Sequence, residues 1–200
     1  MDHKHTSRTI DLPDAKNYVI AVLSDTHGKP HPNLFSTLEQ HTPSLILHAG
    51  DVGGLDLIKE LKLFGQTIFV RGNIDPSGPG CPDSISLRIK LGHSSHLSLL
   101  LLHEAIIRLR LNREALNLLS QNPAQIVVYG HSHIPFLGMN GKTCLFNPGS
   151  AGPGRMGLPI TMGFIEISSG RLSFKHMDLR TGKEWKPLTP SLSPKGRGER

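Results

Sequence analysis

Short apolar runs alternate with amphipathic stretches along the first half of the chain, and each run stops at a polar loop. The runs 18–23, 45–49 and 68–70 are rich in aliphatic and β-branched residues, which is typical of strands buried on both faces. Residues 33–41 and 55–63 carry apolar side chains at helical spacing. Strands and helices that alternate in this way indicate an α/β fold with its sequential strands in one sheet.

The middle of the chain continues with strands and one helix. Apolar and polar residues alternate over 85–89, which predicts an edge or half-buried strand, and apolar runs predict strands at 97–102 and 126–128. A helix is predicted over 109–119, with Pro123 beyond its end.

Two hairpins are predicted in the last third of the chain. Residues 136–139 and 143–146 flank an Asn-Gly turn, and residues 163–167 and 172–177 flank a Ser-Ser-Gly turn. We expect these antiparallel strands to form a second sheet packed on the first, so the fold class is mixed, α/β (α+β).

The apolar pattern defines one domain. It begins near residue 18 and ends near residue 178, so we predict a single domain over 1–186 with its core over about 18–178. Residues 1–17 are polar and indicate a loose lead-in. Residues 187–200 are rich in Pro, Ser, Gly and Arg and are predicted to be a disordered tail.

The amino-acid composition indicates which classes of partner the protein is expected to bind. The 200 residues carry a net charge of +6, but the basic residues are scattered and aromatics are only 5%, so nucleic acid is a possible partner that is not favoured. No apolar run approaches the roughly 18–20 residues that span a bilayer, and the N-terminus lacks a signal-peptide core. Cys81 and Cys144 imply no disulfide framework. We therefore expect a cytoplasmic protein with no membrane partner.

Side chains that can bind a metal follow five of the predicted strands. They are Asp25, Asp51, Asn73, His103 and His131, and His27 and His133 lie in the first and last of these loops. Taken alone, each has an ordinary structural explanation, such as an Asx turn or a solvated histidine. Ligands of an open α/β sheet gather at the carboxyl ends of its strands, so we expect the seven residues to converge.

These ligands suit two ions better than one. Two carboxylates, four imidazoles and one amide oxygen exceed the needs of a single ion and mix nitrogen with oxygen. They favour two divalent transition-metal ions, such as Mn, Ni, Fe, Co or Zn, over an all-oxygen Ca or Mg site. Two such ions need a bridging carboxylate, and a bridging water becomes hydroxide at neutral pH.

The order of these motifs resembles that of the calcineurin-like metallophosphoesterases, and more closely that of their small single-domain, YfcE-type phosphodiesterase branch. The matching residues are Asp25-x-His27, Gly50-Asp51, Gly72-Asn73, His103, Gly130-His131-Ser132-His133, Asn147 to Ser150 and Arg155. The resemblance covers about residues 18–178. It implies a four-layer α-β-β-α sandwich of two mixed sheets.

The same resemblance implies a role for each ligand. One metal would be held by Asp25, His27, Asp51 and His133, and the other by Asp51, Asn73, His103 and His131. The implied activity is a phosphodiesterase, in which the metal-bridging hydroxide attacks the phosphorus of a phosphodiester substrate. Asp51 and Asn73 are thus the candidate catalytic residues, and Asn73 and Arg155 are the candidate substrate contacts.

Two positions depart from the family pattern. Ile74 stands where many family phosphatases carry a histidine near the leaving group, which favours diesters or activated leaving groups over monoesters. Glu104 stands where the family usually has glycine. Its carboxylate is expected either to reject anionic substrate groups or to pair with a nearby arginine.

Two other functions stay open. One is a non-catalytic scaffold, because the retromer subunit of this fold binds proteins and has lost ligand histidines, whereas all seven positions are filled here. The other is a metal-dependent nuclease, which the basic balance suggests although no nucleic-acid domain follows.

The remaining histidines are assigned simpler roles. His48 is predicted to be a core residue near Asp51 that can orient a ligand. The histidines predicted to face solvent are His3, His5, His31, His41, His93, His96 and His176.

Overall fold

The computed structural model of the chain describes residues 4–92, 95–155 and 157–186. Its helices are α1 (Leu34–His41), α2 (Leu55–Leu61) and α3 (Arg113–Gln121). Its strands are β1 (His5–Leu12), β2 (Asn17–Leu23), β3 (Leu45–His48), β4 (Gln66–Phe69), β5 (Ser84–Leu91), β6 (Ser95–Leu102), β7 (Ile106–Ile107), β8 (Arg110–Leu111), β9 (Ile126–Val128), β10 (Phe136–Asn140), β11 (Thr143–Asn147), β12 (Thr161–Ser168), β13 (Arg171–Asp178) and β14 (Lys183–Trp185). The predicted tail, 187–200, lies outside the described residues.

Most strands belong to two six-stranded mixed sheets. The β6 sheet has the order β1-β5-β6-β9-β11-β10, and the β2 sheet has the order β14-β13-β12-β2-β3-β4. In the β2 sheet, β2, β3 and β4 are parallel and β12 is antiparallel to β2. In the β6 sheet, β6, β9 and β11 are parallel and β5 is antiparallel to β6.

Three apolar clusters separate four layers. Ile20 and Val22 of β2 lie in the cluster between the two sheets, whereas Ala21 and Leu23 lie in the cluster beneath α1 and α2. On the other side of the molecule, Val127 of β9 packs with α3. Both faces of the central strands are therefore buried, which explains their uninterrupted apolar sequence. The predicted four-layer α-β-β-α sandwich of two mixed sheets is confirmed.

The N-terminal lead-in is ordered, which corrects the sequence-based prediction of a loose segment. Residues 5–12 form β1, which pairs in parallel with β5 along its whole length. Only Ile10 and Leu12 of this strand are buried, so its own sequence carries a weak strand signal. Since β1 covers β5, the strand predicted at 85–89 is not an edge strand.

The two hairpins do not form a sheet of their own, and this prediction was wrong. The β10–β11 hairpin joins the β6 sheet because β11 pairs with β9, and the β12–β13 hairpin joins the β2 sheet because β12 pairs with β2. The sequential strands β2, β3 and β4 do lie in one sheet, as predicted. Turn residues specify which strands form a hairpin, but the edge on which it docks depends on distant contacts.

The predicted helix over 109–119 begins later than expected. Residues 106–107 and 110–111 form the β7–β8 hairpin, and Asn112 then caps α3 by accepting a hydrogen bond from the backbone N–H of Ala115. No helix within the described ranges is long and apolar enough to cross a membrane.

Several histidines have a different environment from the one predicted. His176 is buried and not solvent-facing, because its ring packs on Phe146 and its Nε2 lies 2.7 Å from the carbonyl oxygen of Asn147. His5, His31 and His41 are half-buried, and only His96 among these seven is exposed as predicted within the described chain. His3 and His93 lie outside the described residues.

Candidate metal centre

The loops after β2, β3, β6 and β9 bring the predicted acidic and imidazole ligands together. One group consists of Asp25, His27 and His133, and a second consists of Asp25, Asp51 and His103. Within each group, one ligand atom from every residue lies within 4.8 Å of the others. The parallel strands place these loops at the same end of the sandwich, as the sequence predicted.

Asp51 belongs to the second group and also faces His27 of the first. Its Oδ1 is 3.5 Å from His103 Nε2, and its Oδ2 is 3.7 Å from His27 Nε2. In the first group, His133 Nε2 lies 3.2 Å from Asp25 Oδ1. The two oxygens of one carboxylate therefore face imidazoles that belong to different groups.

The other two predicted ligands border this cluster. The ring of His131 lies 5.2 Å from that of His103, and its backbone N–H donates a hydrogen bond to Asp25 Oδ2. Asn73 is exposed and lines a polar cleft of about 310 Å³ together with His103. The backbone N–H of Ile74 donates a hydrogen bond to Asp51 Oδ1, so the Asn73 loop is attached directly to the cluster.

Arg155 is not brought to the cluster. It is exposed and lines a separate surface depression together with Arg180 and Trp185, and none of the seven predicted ligands lines that depression. The substrate contact of Arg155 stays a prediction.

Five predicted ligands have a left-handed backbone conformation. Their φ angles are 55° at Asp25, 50° at His27, 52° at Asp51, 66° at His131 and 59° at His133. Only nine residues other than glycine have positive φ in the described ranges, so the strain is concentrated at this site. Such strain persists only where surrounding contacts impose it, and it is typical of functional loops.

Two glycines allow the loops to approach each other closely. Gly50 has φ +91°, and a Cβ there would lie 2.7 Å from His103 Nδ1. A Cβ at Gly72 would collide with the backbone nitrogen and the carboxylate of Asp51. The glycines before Asp51 and Asn73 therefore have a steric function in packing the ligand loops.

The buried polar atoms of the cluster fit a divalent metal. Asp25 Oδ1, His103 Nε2 and His133 Nδ1 are buried and have no hydrogen-bond partner among the described residues. Unsatisfied buried polar atoms are costly, and an ion would satisfy the first two of these, which face the centre of the cluster. Carboxylates mixed with imidazoles suit borderline metals such as Mn, Ni or Zn.

The electrostatics favour the ionised carboxylates that a metal requires. Burial opposes ionisation of Asp51, but neighbouring His103 and the N–H of Ile74 hold the pKa of its carboxyl well below the usual range. Burial likewise opposes ionisation of Asp25, but His133 and Ser24 lower its pKa. Burial by itself would lower the pKa of His103. The carboxylates of Asp51 and Asp25 have the larger combined effect, so the pKa of His103 is raised.

Asp75 is a functional-loop residue that the sequence analysis missed. Its carboxylate accepts hydrogen bonds from the backbone N–H groups of Val52, Gly53 and Gly72, at 3.0, 2.8 and 2.8 Å. It therefore ties the loop of Asp51 to the loop of Asn73. An acidic residue close after the Gly-Asn pair was the available signal.

The loop 147–150 supports the ligand loops through hydrogen bonds to their backbone. Asn147 Nδ2 donates to the carbonyl oxygen of Gly130, and Ser150 Oγ donates to that of Asp25, both at 2.9 Å. His48, predicted to be a core residue near Asp51, is fully buried, and its Nε2 lies 2.9 Å from Thr26 Oγ1, between two ligands in sequence. These three residues therefore support the ligand loops through hydrogen bonds.

We expect Asp75→Asn to weaken metal binding although Asp75 does not touch the cluster. The amide retains only one acceptor oxygen for three N–H donors, so the loops of Asp51 and Asn73 should separate. Loss of such outer support typically lowers metal affinity about 10- to 100-fold. Competition with a chromophoric chelator measures this, with exposed Asp11→Asn as the matched control. Equal affinities in both variants would contradict the assigned role.

Comparison with known proteins agrees with this geometry. Residues 19–170 match the model of the calcineurin-like phosphoesterase superfamily domain. A probable metallophosphoesterase of Methanocaldococcus jannaschii is 28% identical over 142 residues, which cover 66% of this chain and 67% of the relative.

Solved structures share the fold. Vps29 (vacuolar protein sorting 29) of Cryptosporidium parvum matches with a TM-score of 0.69 and 17% identity, covering 86% of this chain and 96% of its own. YfcE, a phosphoesterase from E. coli, matches with a TM-score of 0.58 and 20% identity, and the match covers 84% of this chain and 97% of the YfcE chain. An archaeal phosphodiesterase matches with a TM-score of 0.61 and 21% identity, and the match covers 80% of this chain and 98% of the phosphodiesterase chain. The family match spans most of the chain, including all seven converging or bordering ligands, and the chain belongs to the calcineurin-like phosphoesterase superfamily.

Proposed function

We propose that the protein is a phosphodiesterase that uses two divalent transition-metal ions. The observation that carries this proposal is the position of Asp51, whose two carboxylate oxygens face His103 on one side and His27 on the other. A carboxylate placed between two sets of nitrogen ligands has the geometry to bridge two ions. An isolated structural carboxylate would need only one partner.

The family resemblance suggests how the ligands divide between two ions, and Asp25 belongs to both of the groups described above. Asp25, His27, Asp51 and His133 would hold one ion, and Asp51, Asn73, His103 and His131 would hold the other. When bound, two such ions polarise phosphoryl oxygens and lower the pKa of a bound water, which then serves as the nucleophile at neutral pH.

The chain's own residues position the substrate. The exposed amide of Asn73 borders the polar cleft beside His103, where its N–H₂ group can donate to a phosphoryl oxygen as negative charge develops. Ile74, next to it, is 51% exposed and offers no proton to a departing oxygen. This favours diesters and activated leaving groups over monoesters with poor leaving groups. The likeness to a solved archaeal phosphodiesterase supports the same choice.

The test is metal-dependent hydrolysis of bis-p-nitrophenyl phosphate. Protein treated with a chelator should be inactive, and Mn²⁺ or Ni²⁺ should restore hydrolysis, which should be faster than that of p-nitrophenyl phosphate. Elemental analysis should find two ions per chain, and His27→Ala and His103→Ala should each lose one. Failure of every metal to restore hydrolysis would overturn the proposed activity. A single ion per chain would overturn the dinuclear centre.

A further inference from the structure

An apolar cavity opens beside His131, and Glu104 lines both this cavity and the polar cleft. This side pocket has a volume of about 250 Å³, and the residues that matter for its shape are Ile106, Leu109, Ile134, Phe136 and Met139. His131 and Glu104 line it as well. The side pocket therefore shares one wall with the candidate metal centre, while Glu104 borders both it and the polar cleft.

The rim of the side pocket exposes large apolar side chains. Leu109 is 81% exposed, Met139 is 56% exposed and Ile134 is 50% exposed. Apolar surface gathered around a concave site is typical of ligand binding, whereas scattered apolar residues need no explanation. An apolar group that entered here would cover these side chains and lose its own contact with water.

The backbone holds Leu109 at this rim in a strained conformation. Arg108 and Leu109 form the two-residue turn between β7 and β8, and their φ angles are 49° and 65°. Turns with positive φ at both central positions favour Asn and Gly, so Arg-Leu is an unfavourable choice for turn stability. Leu109 therefore does not contribute to the stability of the turn, and its side chain is available for contacts in the side pocket.

We propose that the side pocket binds a neutral, apolar substituent of the phosphodiester, such as an aryl or short alkyl group. The proposal rests on the proposed function, because a phosphoryl group at the metal centre places one ester arm next to His131. Glu104 at the boundary disfavours arms that carry a negative charge. The volume of about 250 Å³ suits a single ring or a short chain.

Competitive inhibition by small phosphonates separates this proposal from the proposed activity. Phenylphosphonate should inhibit hydrolysis of bis-p-nitrophenyl phosphate by the Mn²⁺-loaded protein with an inhibition constant at least about tenfold lower than that of methylphosphonate. The charged 4-carboxyphenylphosphonate should lose this advantage. Neither comparison depends on the quality of a leaving group.

Two variants test the walls of the side pocket. Leu109→Asn suits the positive φ of the turn while removing its apolar side chain, and Met139→Gln keeps the length of the side chain while making it polar. Together they should bring the two inhibition constants within about twofold of each other. Leu63→Asn is the matched control, because Leu63 is 83% exposed and lies outside the side pocket. It should leave the preference for phenylphosphonate unchanged.

A binding measurement makes the test independent of turnover. In Zn²⁺-loaded protein with ¹³C-labelled methionine methyl groups, phenylphosphonate should shift the NMR signal of Met139 and leave that of Met177, in β13, in place. Absence of hydrolysis with any diester would reject the proposed activity. The presence or absence of the Met139 shift would still show whether the side pocket binds the phenyl group. Hydrolysis with equal inhibition constants and no Met139 shift would overturn the side-pocket proposal alone. The side-pocket proposal would also be overturned if Leu109→Asn and Met139→Gln changed only the association state of the protein. The apolar rim would then be a contact between copies of the chain.

Discussion

Asp51→Asn is expected to lower kcat/KM for bis-p-nitrophenyl phosphate at least about a thousandfold, which corresponds to about 4 kcal/mol of the activation barrier. Asparagine has almost the same shape, but it carries no charge and only one oxygen. One of the facing imidazoles, His27 or His103, would then oppose an N–H₂ group at a distance of about 4 Å or less. A metal held by either imidazole would lose the carboxylate oxygen of Asp51 that faces it.

The matched control is Asp56→Asn, the same chemical change at an exposed carboxylate on α2 that pairs with Lys59. It should leave kcat/KM and metal content unchanged. Circular dichroism and the unfolding midpoint should show that Asp51→Asn remains folded, so the loss cannot be attributed to unfolding. Activity within tenfold of the unchanged protein, at saturating metal, would contradict a bridging role for Asp51.

The sequence identified the ligand loops because these loops combine two strong local signals. Each apolar run is short and largely buried, so its end is well defined, and a side chain that can bind a metal follows within a few residues. Asp25 after β2 and Asp51 after β3 are examples. The parallel arrangement of β2, β3 and β4 then brings separate loops to one edge by topology alone.

The sheet membership of β1 and of the two hairpins could not be predicted in the same way. The strand β1 buries only two of its side chains, and its pairing with β5 joins residues more than seventy positions apart in the chain, such as His5 and Ser84. The hairpins had clear turn signals, but these do not specify the sheet: β11 docks on β9, the strand just before its hairpin, whereas β12 docks on the distant β2. These contacts depend on the packed interface between the sheets, which no local pattern encodes.

Backbone strain and supporting hydrogen bonds also lay beyond the sequence. Asp and His tolerate positive φ better than most residues, but the residue types of Asp25 and His27 do not specify it, because neighbouring loops impose the conformation. The role of Asp75 depends on three backbone N–H groups that converge only in the folded chain. The sequence therefore predicted which side chains form the site better than it predicted what holds them in place.

His48 is expected to make the chain unstable in mild acid even without metal. Burial lowers the pKa of this imidazole to about 4, and the nearby carboxylates of Asp75 and Asp25 offset only part of that effect. The unfolded chain protonates the same group near pH 6.5. Stability is therefore complete above pH 6.5 and falls as the pH drops from 6.5 towards 4, by about 3 kcal/mol from this residue alone.

Urea unfolding at pH 7 and pH 4.5, in the presence of a chelator, measures this effect. His48→Gln can keep a hydrogen bond to Thr26 but cannot take up a proton, so its free energy of unfolding should fall much less between the two pH values. The exposed His96→Gln should keep the full decrease of the unchanged protein. If all three proteins lost the same stability, the acid sensitivity would come from other groups, such as buried His176 or the carboxylates of the metal centre. Because β3 places His48 beneath the loop of Asp51, loss of this strand in acid should also release the metal.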